Sequence, residues 1–157
     1  MNAPDANSDR LNPASSRHLR ILNIEDNPDD VDLLRLAIRQ IEAPVELAVV
    51  GDGEAAIDFL KERNQQEGKR PDLIFLDLNL PKKDGCETLA EIKQDVLLRS
   101  VPVLIFTTSS SAEHVRQCYT LGAACYLLKP LEFGDLVSLM QKTFSFWITT
   151  ARLPDKR

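Results

Sequence analysis

Cysteine, positive charge and long apolar runs are all scarce in this chain of 157 residues. The three cysteines, Cys86, Cys118 and Cys125, form no CxxC pair, which supports neither a disulfide framework nor a zinc site. No apolar run approaches the roughly 20 residues of a membrane span, and residues 1–17 lack the apolar core of a signal peptide. With 19 Lys and Arg against 24 Asp and Glu, the net charge of -5 disfavours binding of nucleic acid.

The residues that are present indicate one globular domain. Hydrophobic residues make up 43% of the chain and charged residues 27%, values that are typical of a soluble protein with a core. Residues 1–17 are rich in Asn, Ser, Pro and Asp, so we expect a disordered N-terminal tail there, a domain at 18–150 and a C-terminal tail at 151–157. Buried free thiols and the lack of a span or leader predict a cytoplasmic protein without a membrane partner.

Five short apolar runs alternate with longer amphipathic segments, and this alternation predicts the fold. The runs lie at residues 19–24, 45–50, 73–76, 103–106 and 125–128, and they are continuous, as in parallel strands covered on both faces. The segments around 31–41, 55–60, 86–92, 112–121 and 131–147 have the apolar spacing of helices. Right-handed crossovers then favour an α/β fold, a doubly wound five-stranded parallel sheet with strand order 2-1-3-4-5.

Acidic residues follow two of the buried runs directly. Glu25 and Asp26 come after the first run, and Asp77 comes after the third. In the predicted strand order these two ends meet at the crevice beyond the carboxyl ends of strands 1 and 3, so we expect the three carboxylates to share a small volume. Like charges this close repel one another, and hard oxygen ligands favour Mg²⁺ over zinc as the cation that would hold them together.

The residues just after the acidic pair have a simpler explanation. Asn27 suits the N-cap of a helix, Pro28 suits its first position, and Asp29 and Asp30 suit its first turn. Capping does not account for the acidic pair that precedes the cap, or for the acid that follows the third run. Those three carboxylates therefore remain candidates for a functional site.

Two further strand ends are expected at the same crevice. Thr107 and Thr108 follow the fourth run, and Lys129 follows the fifth. Hydroxyls and an ammonium group beside carboxylates suit a phosphoryl group, because the hydroxyls can donate hydrogen bonds and the lysine supplies positive charge. The alternatives are an ordinary surface lysine and a serine-rich loop in which Ser110 or Ser111 caps the next helix.

The ordered set of Glu25-Asp26, Asp77, Thr107 and Lys129-Pro130 resembles the signature of two-component receiver domains, and the resemblance covers nearly the whole chain after residue 17. It implies the flavodoxin-like receiver fold and a stand-alone response regulator that accepts a phosphoryl group from a sensor histidine kinase on Asp77. It also implies a signalling module that is not an enzyme, although it assists its own Mg²⁺-dependent phosphoryl transfer and dephosphorylation.

The same resemblance assigns roles to individual residues. The implied metal site comprises Glu25, Asp26, Asp77 and the backbone carbonyl of Asn79. The implied phosphoryl contacts are Thr107 and Lys129, with Thr108 as a further candidate, and the implied switch residues are Thr107 and Tyr126. The Lys-Pro peptide bond of the family is usually cis, so we expect a cis bond between Lys129 and Pro130.

An aromatic run near the C-terminus narrows the resemblance to single-domain regulators that are paired with phytochrome kinases. It implies a phytochrome as the partner kinase. Phe144, Phe146 and Trp147 follow the apolar stripe of the fifth helix, and they cannot all face one core. We therefore expect a homodimer that is joined through helix 4, strand 5, helix 5 and the C-terminal tail. The alternative is that the run packs over the domain's own core.

Three other classes of protein fit the sequence less well. A phosphatase of the haloacid dehalogenase type would have a second Asp two residues after the nucleophile, where this chain has Asn79. A flavodoxin-like electron carrier would need a hydroxyl- and glycine-rich loop where Glu25 and Asp26 stand, and these carboxylates would repel a flavin phosphate. A DNA-binding regulator would need a helix-turn-helix segment and a basic surface.

Overall fold

The computed structural model describes residues 18–155, and a five-stranded parallel sheet lies at their centre. The predicted disordered tail at 1–17 and the last two residues of the predicted C-terminal tail lie outside the described residues. The strands are β1 (Leu19–Ile24), β2 (Val45–Val50), β3 (Leu73–Leu76), β4 (Val103–Thr107) and β5 (Cys125–Leu128). Their order, β2-β1-β3-β4-β5, confirms the predicted topology.

The helices alternate with the strands and are α1 (Pro28–Ile41), α2 (Gly53–Asn64), α3 (Gly85–Gln94), α4 (Ala112–Thr120) and α5 (Phe133–Ser145). Side-chain oxygens of Asn27, Asp52, Asp84 and Ser111 accept hydrogen bonds from the first-turn amides of α1 to α4. The predicted caps at Asn27 and Ser111 are therefore confirmed. No helix within residues 18–155 has both the length and the apolar character that crossing a membrane requires.

The fifth helix begins later than the sequence predicted. Its first residue is Phe133 and its N-cap is Glu132, whereas the apolar pattern predicted a start at residue 131. Leu131 instead lies in the loop after Pro130, with 99% of its surface exposed. A π-helical turn, Phe146–Thr150, extends the helix at its other end.

Apolar side chains form one core on each face of the sheet. One core packs the sheet against α2, α3 and α4, with Leu60, Leu89 and Cys118 among its members. The other packs the sheet against α1 and α5, with Leu34 and Met140 among its members. The three inner strands are buried almost entirely, which explains why their sequences are continuously apolar.

Phe144 belongs to the second core, so its prediction as a dimer-interface residue is wrong. Its exposed fraction is 2%, and its ring stacks on that of Phe75 in β3 with centroids 6.4 Å apart. Phe144 lies one helical turn after Met140, and it therefore continues the inward stripe of α5 instead of leaving it. Phe146 is 49% exposed, and Trp147 is partly buried.

The chain beyond the π-helical turn folds back on its own domain. Leu153 packs against the core that α1 and α5 share. The buried guanidinium of Arg70 donates a hydrogen bond to the carbonyl oxygen of Asp155 at 3.0 Å. These residues therefore pack against their own domain. This agrees in part with the alternative in which the C-terminal run covers the domain's own core.

Candidate functional site

The strand register brings the predicted carboxylates together. Ile24 at the end of β1 pairs with Leu76 at the end of β3, and the amide of Asp77 donates a hydrogen bond to the carbonyl oxygen of Ile24 at 3.1 Å. As a result, Glu25, Asp26 and Asp77 each present a carboxylate oxygen within 4.8 Å of the others. The prediction that these three side chains share a small volume is confirmed.

Lys129 lies among the carboxylates and contacts three of them. Its Nζ is 2.7 Å from Glu25 Oε1, 2.8 Å from Asp30 Oδ2 and 3.0 Å from Asp77 Oδ2. The amide of Lys129 donates to the carbonyl of Thr107 at 2.8 Å, which fixes the backbone at the end of β5. Only 9% of the lysine side chain is exposed, so it is not an ordinary surface lysine.

Asp30 is a site residue that the sequence reasoning missed. Its amide lies near the side-chain oxygen of Asn27, as expected for the first turn of a capped helix, at 3.4 Å. Its carboxylate, however, turns into the crevice and pairs with Lys129. The signal for this role was available, because a first helical turn that follows β1 directly must lie at the same end of the sheet as Asp77.

Burial and neighbouring charges set the protonation of these groups. Burial, and next the neighbouring Asp77 carboxylate, raise the pKa of Glu25 to about 9, and Lys129 offsets this only in part. Burial opposes ionisation of Asp77 as well, but contacts with Glu25 and Lys129 outweigh it and lower the pKa of Asp77. The cluster thus holds an ionised Asp77 beside a Glu25 that keeps its proton at neutral pH.

The donor set of the cluster fits a hard divalent cation. Oε2 of Glu25 is buried and has no hydrogen-bond partner among the described residues, so it could ligate a cation once Glu25 releases its proton. Asp26 is exposed at the mouth of the crevice, while Glu25 and Asp77 are buried. All three offer carboxylate oxygens, the type of ligand that Mg²⁺, Ca²⁺ and Mn²⁺ take in proteins.

Asn79 lies on the other side of Asp77. Its amide donates to Asp77 Oδ1 at 3.3 Å, and its side chain is exposed. Gly85 approaches Asp77 from α3, so closely that a Cβ at this position would lie 2.4 Å from the carbonyl oxygen of Asp77. Glycine is therefore required where α3 begins, because any side chain would displace the backbone that carries Asp77.

The two threonines after β4 differ in their surroundings. Thr107 is fully buried, and its hydroxyl oxygen lies 3.5 Å from the amide of Ser109. Thr108 is exposed, and no side-chain hydrogen bond of Thr108 is found within residues 18–155. Tyr126 is partly buried on β5, and its hydroxyl donates to the carbonyl of Ser109 at 2.7 Å.

The Lys129–Pro130 peptide bond differs from the expectation. None of the peptide bonds between residues 18 and 155 is cis, so this bond is trans. The trans form is the preferred isomer of an X–Pro bond, although by only about 0.5–1 kcal/mol. In this form the Lys129 amide still reaches Thr107 and its ammonium still reaches the carboxylates.

Comparison with known proteins adds a family and several relatives. Residues 21–141 match the sequence profile of the family described as the response regulator receiver domain. Response regulator Rcp1 of Synechocystis sp. is 42% identical over 148 residues, which cover 94% of this chain and 98% of Rcp1.

Solved structures agree with the sequence match. The Mn(2+)-bound form of Rcp1 superposes with a TM-score of 0.76 at 42% identity, over 87% of this chain and 99% of that one. The phosphorylated cyanobacterial phytochrome response regulator RcpA gives 0.80 at 38% identity, over 88% and 100%. Response regulator RPA3017, in red light signaling of R. palustris, gives 0.80 at 32% identity, over 87% and 99%.

The raised pKa of Glu25 predicts how the metal-free protein responds to pH. Folding raises this pKa from an ordinary 4.5 to about 9, so between these values the folded state holds a proton that the unfolded state releases. This contribution therefore makes the metal-free protein less stable as pH rises across that range. We expect Glu25→Gln, which cannot ionise, to raise the melting temperature more at pH 8 than at pH 5, as measured by scanning calorimetry with EDTA.

A matched control is Glu67→Gln, which neutralises an exposed carboxylate far from the cluster. Its effect on the melting temperature should be small and similar at both pH values. An equal shift at pH 5 and pH 8 for Glu25→Gln would contradict the protonated state of Glu25.

Proposed function

Since this chain belongs to the response regulator receiver domain family, we propose that Asp77 is the residue on which it accepts a phosphoryl group. Receiver domains are phosphoacceptor signalling modules, and this chain is a response regulator that receives phosphoryl groups from a kinase. The observation that carries the assignment of Asp77 is its position: it follows β3 directly, lies beside Glu25 and Asp26, and contacts the Lys129 ammonium at 3.0 Å.

The lowered pKa of Asp77 keeps its carboxylate ionised at neutral pH, as a nucleophile must be. In the transfer, one carboxylate oxygen forms a bond to phosphorus while the bond between phosphorus and the donor's histidine nitrogen breaks. Phosphoryl transfer has a loose transition state, so the protein acts by positioning and by stabilising charge. Lys129 supplies positive charge beside the Asp77 carboxylate. We propose that Thr107 donates a hydrogen bond to one of the phosphoryl oxygens. Thr108 is a further candidate donor.

Mg²⁺ is the proposed cofactor. Glu25, Asp26 and Asp77, together with the backbone carbonyl of Asn79, would hold it. The ion supplies charge neutralisation for the phosphoryl oxygens when it is bound. The unpartnered Glu25 Oε2 and the hard oxygens of the cluster support this assignment. A metal would also favour release of the proton that Glu25 holds, since ligands bind in their deprotonated form.

Phosphorylation is proposed to act on the region around β4 and β5. A phosphoryl group adds about -1.5 to -2 charge near neutral pH, in direct reach of Lys129. Thr107 and Tyr126 both contact Ser109. A movement of the Thr107 hydroxyl toward the new charge would therefore be transmitted through Ser109 to the ring of Tyr126. Dephosphorylation with water is proposed to occur at the same site, along a path lined by Asn79 and Ser109.

A sensor histidine kinase is the proposed phosphoryl donor, and a phytochrome is the proposed type of kinase. The similarity to RcpA, whose name includes a phytochrome, supports this assignment. We place the protein in the cytoplasm. All three cysteines are free thiols, which suits a reducing compartment. Of the three, only Cys118 is fully buried.

We also propose a homodimer that forms through the side of the sheet bearing β5 and α5. An apolar groove of about 550 Å³ lies between these two elements, with Leu127, Leu139, Phe146 and Trp147 in its walls. β5 is an edge strand, and its Leu128 is half exposed. A two-fold contact would cover the groove with its own copy, and aromatic residues are favoured in such contacts. Helix α4 lies next to β5 and would border the interface.

The assignment of Asp77 predicts that Asp77→Asn abolishes phosphorylation while the fold is retained. Labelling would be measured with acetyl phosphate and Mg²⁺, and an aspartyl phosphate should be stable in acid and labile in alkali. Asp58→Asn, at an exposed position on α2, serves as the control and should label like the wild type. Undiminished labelling of Asp77→Asn would refute the assignment.

The assignment of the metal site predicts different roles for two neighbouring acids. We expect Asp26→Asn to weaken Mg²⁺ binding at least about tenfold, since even indirect changes at metal sites cost this much. Asp29→Asn, on the first turn of α1, should have little effect because its carboxylate is not part of the cluster. Isothermal titration calorimetry measures both affinities, and equal affinity in the wild type and Asp26→Asn would remove Asp26 from the site.

The dimer proposal predicts that light scattering finds a dimer for the wild type and a monomer for the double variant Phe146→Ala, Trp147→Ala. Both substitutions remove apolar surface at the groove, but neither touches Asp77. Leu97→Ala removes an exposed leucine from the segment between α3 and β4, away from β5 and α5, and should leave the dimer intact. A wild type that stays monomeric at high micromolar concentration, with and without phosphorylation, would rule the dimer out.

A further inference from the structure

Ser109, in the loop between β4 and α4, makes hydrogen bonds to residues of three different elements. Its hydroxyl oxygen lies 2.6 Å from Nδ1 of His114, and its carbonyl accepts from the Tyr126 hydroxyl at 2.7 Å. Its amide points to the hydroxyl oxygen of Thr107 at 3.5 Å. The loop is thus fastened to α4 by a side chain, to β5 by a carbonyl, and to the end of β4 by an amide.

The contact with Thr107 has a chemical consequence. The Ser109 amide can only donate, so it occupies a lone pair of the Thr107 oxygen and leaves the hydroxyl hydrogen free to be donated elsewhere. A hydroxyl that is preset as a donor is what a phosphoryl group on the neighbouring Asp77 requires. Preset donors stabilise developing charge better than donors that must first reorient. The position of Ser109 therefore bears on the reaction, although Ser109 need not touch the phosphoryl group.

The side chain of Ser109 makes its shorter contact with His114, and the amide of Ser111 donates to the same oxygen at 3.5 Å. His114 lies in the first turn of α4, where Ser111 already serves as the N-cap, so its ring is not needed to begin the helix. The imidazole is exposed, and its contact with Ser109 is its only side-chain hydrogen bond within residues 18–155. Packing in the core does not explain this contact, which is the shortest of those that hold the loop.

We propose that His114 is a positioning residue for phosphoryl transfer to Asp77, acting through Ser109 to keep the Thr107 hydroxyl preset as a donor. The inference rests on the proposed function of Asp77 and adds to it a residue outside the crevice. It assigns His114 no direct contact with the phosphoryl group or the metal. Its loss should therefore slow the transfer while leaving Mg²⁺ affinity unchanged.

The test measures the rate of Mg²⁺-dependent labelling of Asp77 by acetyl phosphate in single and double variants. His114→Ala and Ser109→Ala should each slow labelling by about three- to tenfold, the size expected when one hydrogen bond is lost. Because both remove the same contact, the double variant should be no slower than either single variant. His114→Asn should restore most of the rate, since its side-chain amide offers hydrogen-bonding atoms near the position of Nδ1.

Two further measurements separate positioning from a structural effect. Gln117→Ala, at an exposed position on the same helix, should label at the wild-type rate. Calorimetry should find equal Mg²⁺ affinity in all variants. Normal labelling of His114→Ala, additive losses in the double variant, or failure of His114→Asn to restore the rate would overturn the inference while Asp77 remains the acceptor. An unlabelled wild type would instead overturn the proposed function, and this inference with it.

Discussion

The ammonium group of Lys129 holds together carboxylates from three separate parts of the chain. Glu25 comes from the end of β1, Asp30 from α1 and Asp77 from the end of β3, and all three lie within 3.0 Å of one nitrogen. Burial of Glu25, and next the neighbouring Asp77 carboxylate, keep a proton on Glu25, and the single charge of Lys129 offsets them only in part. The positions of the three carboxylates, and the opposite pKa shifts of Glu25 and Asp77, depend on burial of the crevice and on this one ammonium group.

The parallel sheet is what makes this arrangement possible. Side chains that follow β1, β3, β4 and β5 emerge at the same edge, and the hydrogen bond from the Asp77 amide to Ile24 fixes their relative height. Because Gly85 has no side chain, the start of α3 can pack directly against the backbone of Asp77. The buried sheet thus fixes the strand ends that precede Asp77 and Lys129, while Ser109 lies in the loop that follows β4.

The sequence predicts the sheet and the acidic centre, because both rest on local patterns: continuous apolar runs predict buried strands, and strand order predicts which ends meet. It does not predict the use of Asp30, because a first-turn Asp satisfies a helix terminus whether or not its carboxylate also reaches a lysine 99 residues away. The prediction that Phe144 lies in a dimer interface is wrong for a related reason. Sequence spacing alone does not reveal where the inward stripe of a helix ends, so it does not separate the buried Phe144 from the exposed Phe146.

The bond between Ser109 and His114 lies beyond sequence reasoning for another reason. It depends on the turn that the loop makes before α4, and serine and histidine five residues apart are unremarkable in a sequence. Contacts of this kind are set by backbone geometry that no periodicity encodes. A contact in a loop is thus harder to predict than the carboxylates that follow the buried strands.

The single tryptophan of the chain lies in the π-helical turn that follows α5, at the end of the helix remote from the crevice. Helix α5 begins beyond the carboxyl end of β5 and runs back along the sheet for 13 residues, so Trp147 lies roughly 20 Å from the first residue of the helix at a rise of about 1.5 Å per residue. Its indole contacts Phe146 edge-on and borders the apolar groove. The intrinsic emission of this protein is therefore an optical reporter of the groove and its occupant. Any change in that emission on phosphorylation would report a change at the groove, remote from Asp77.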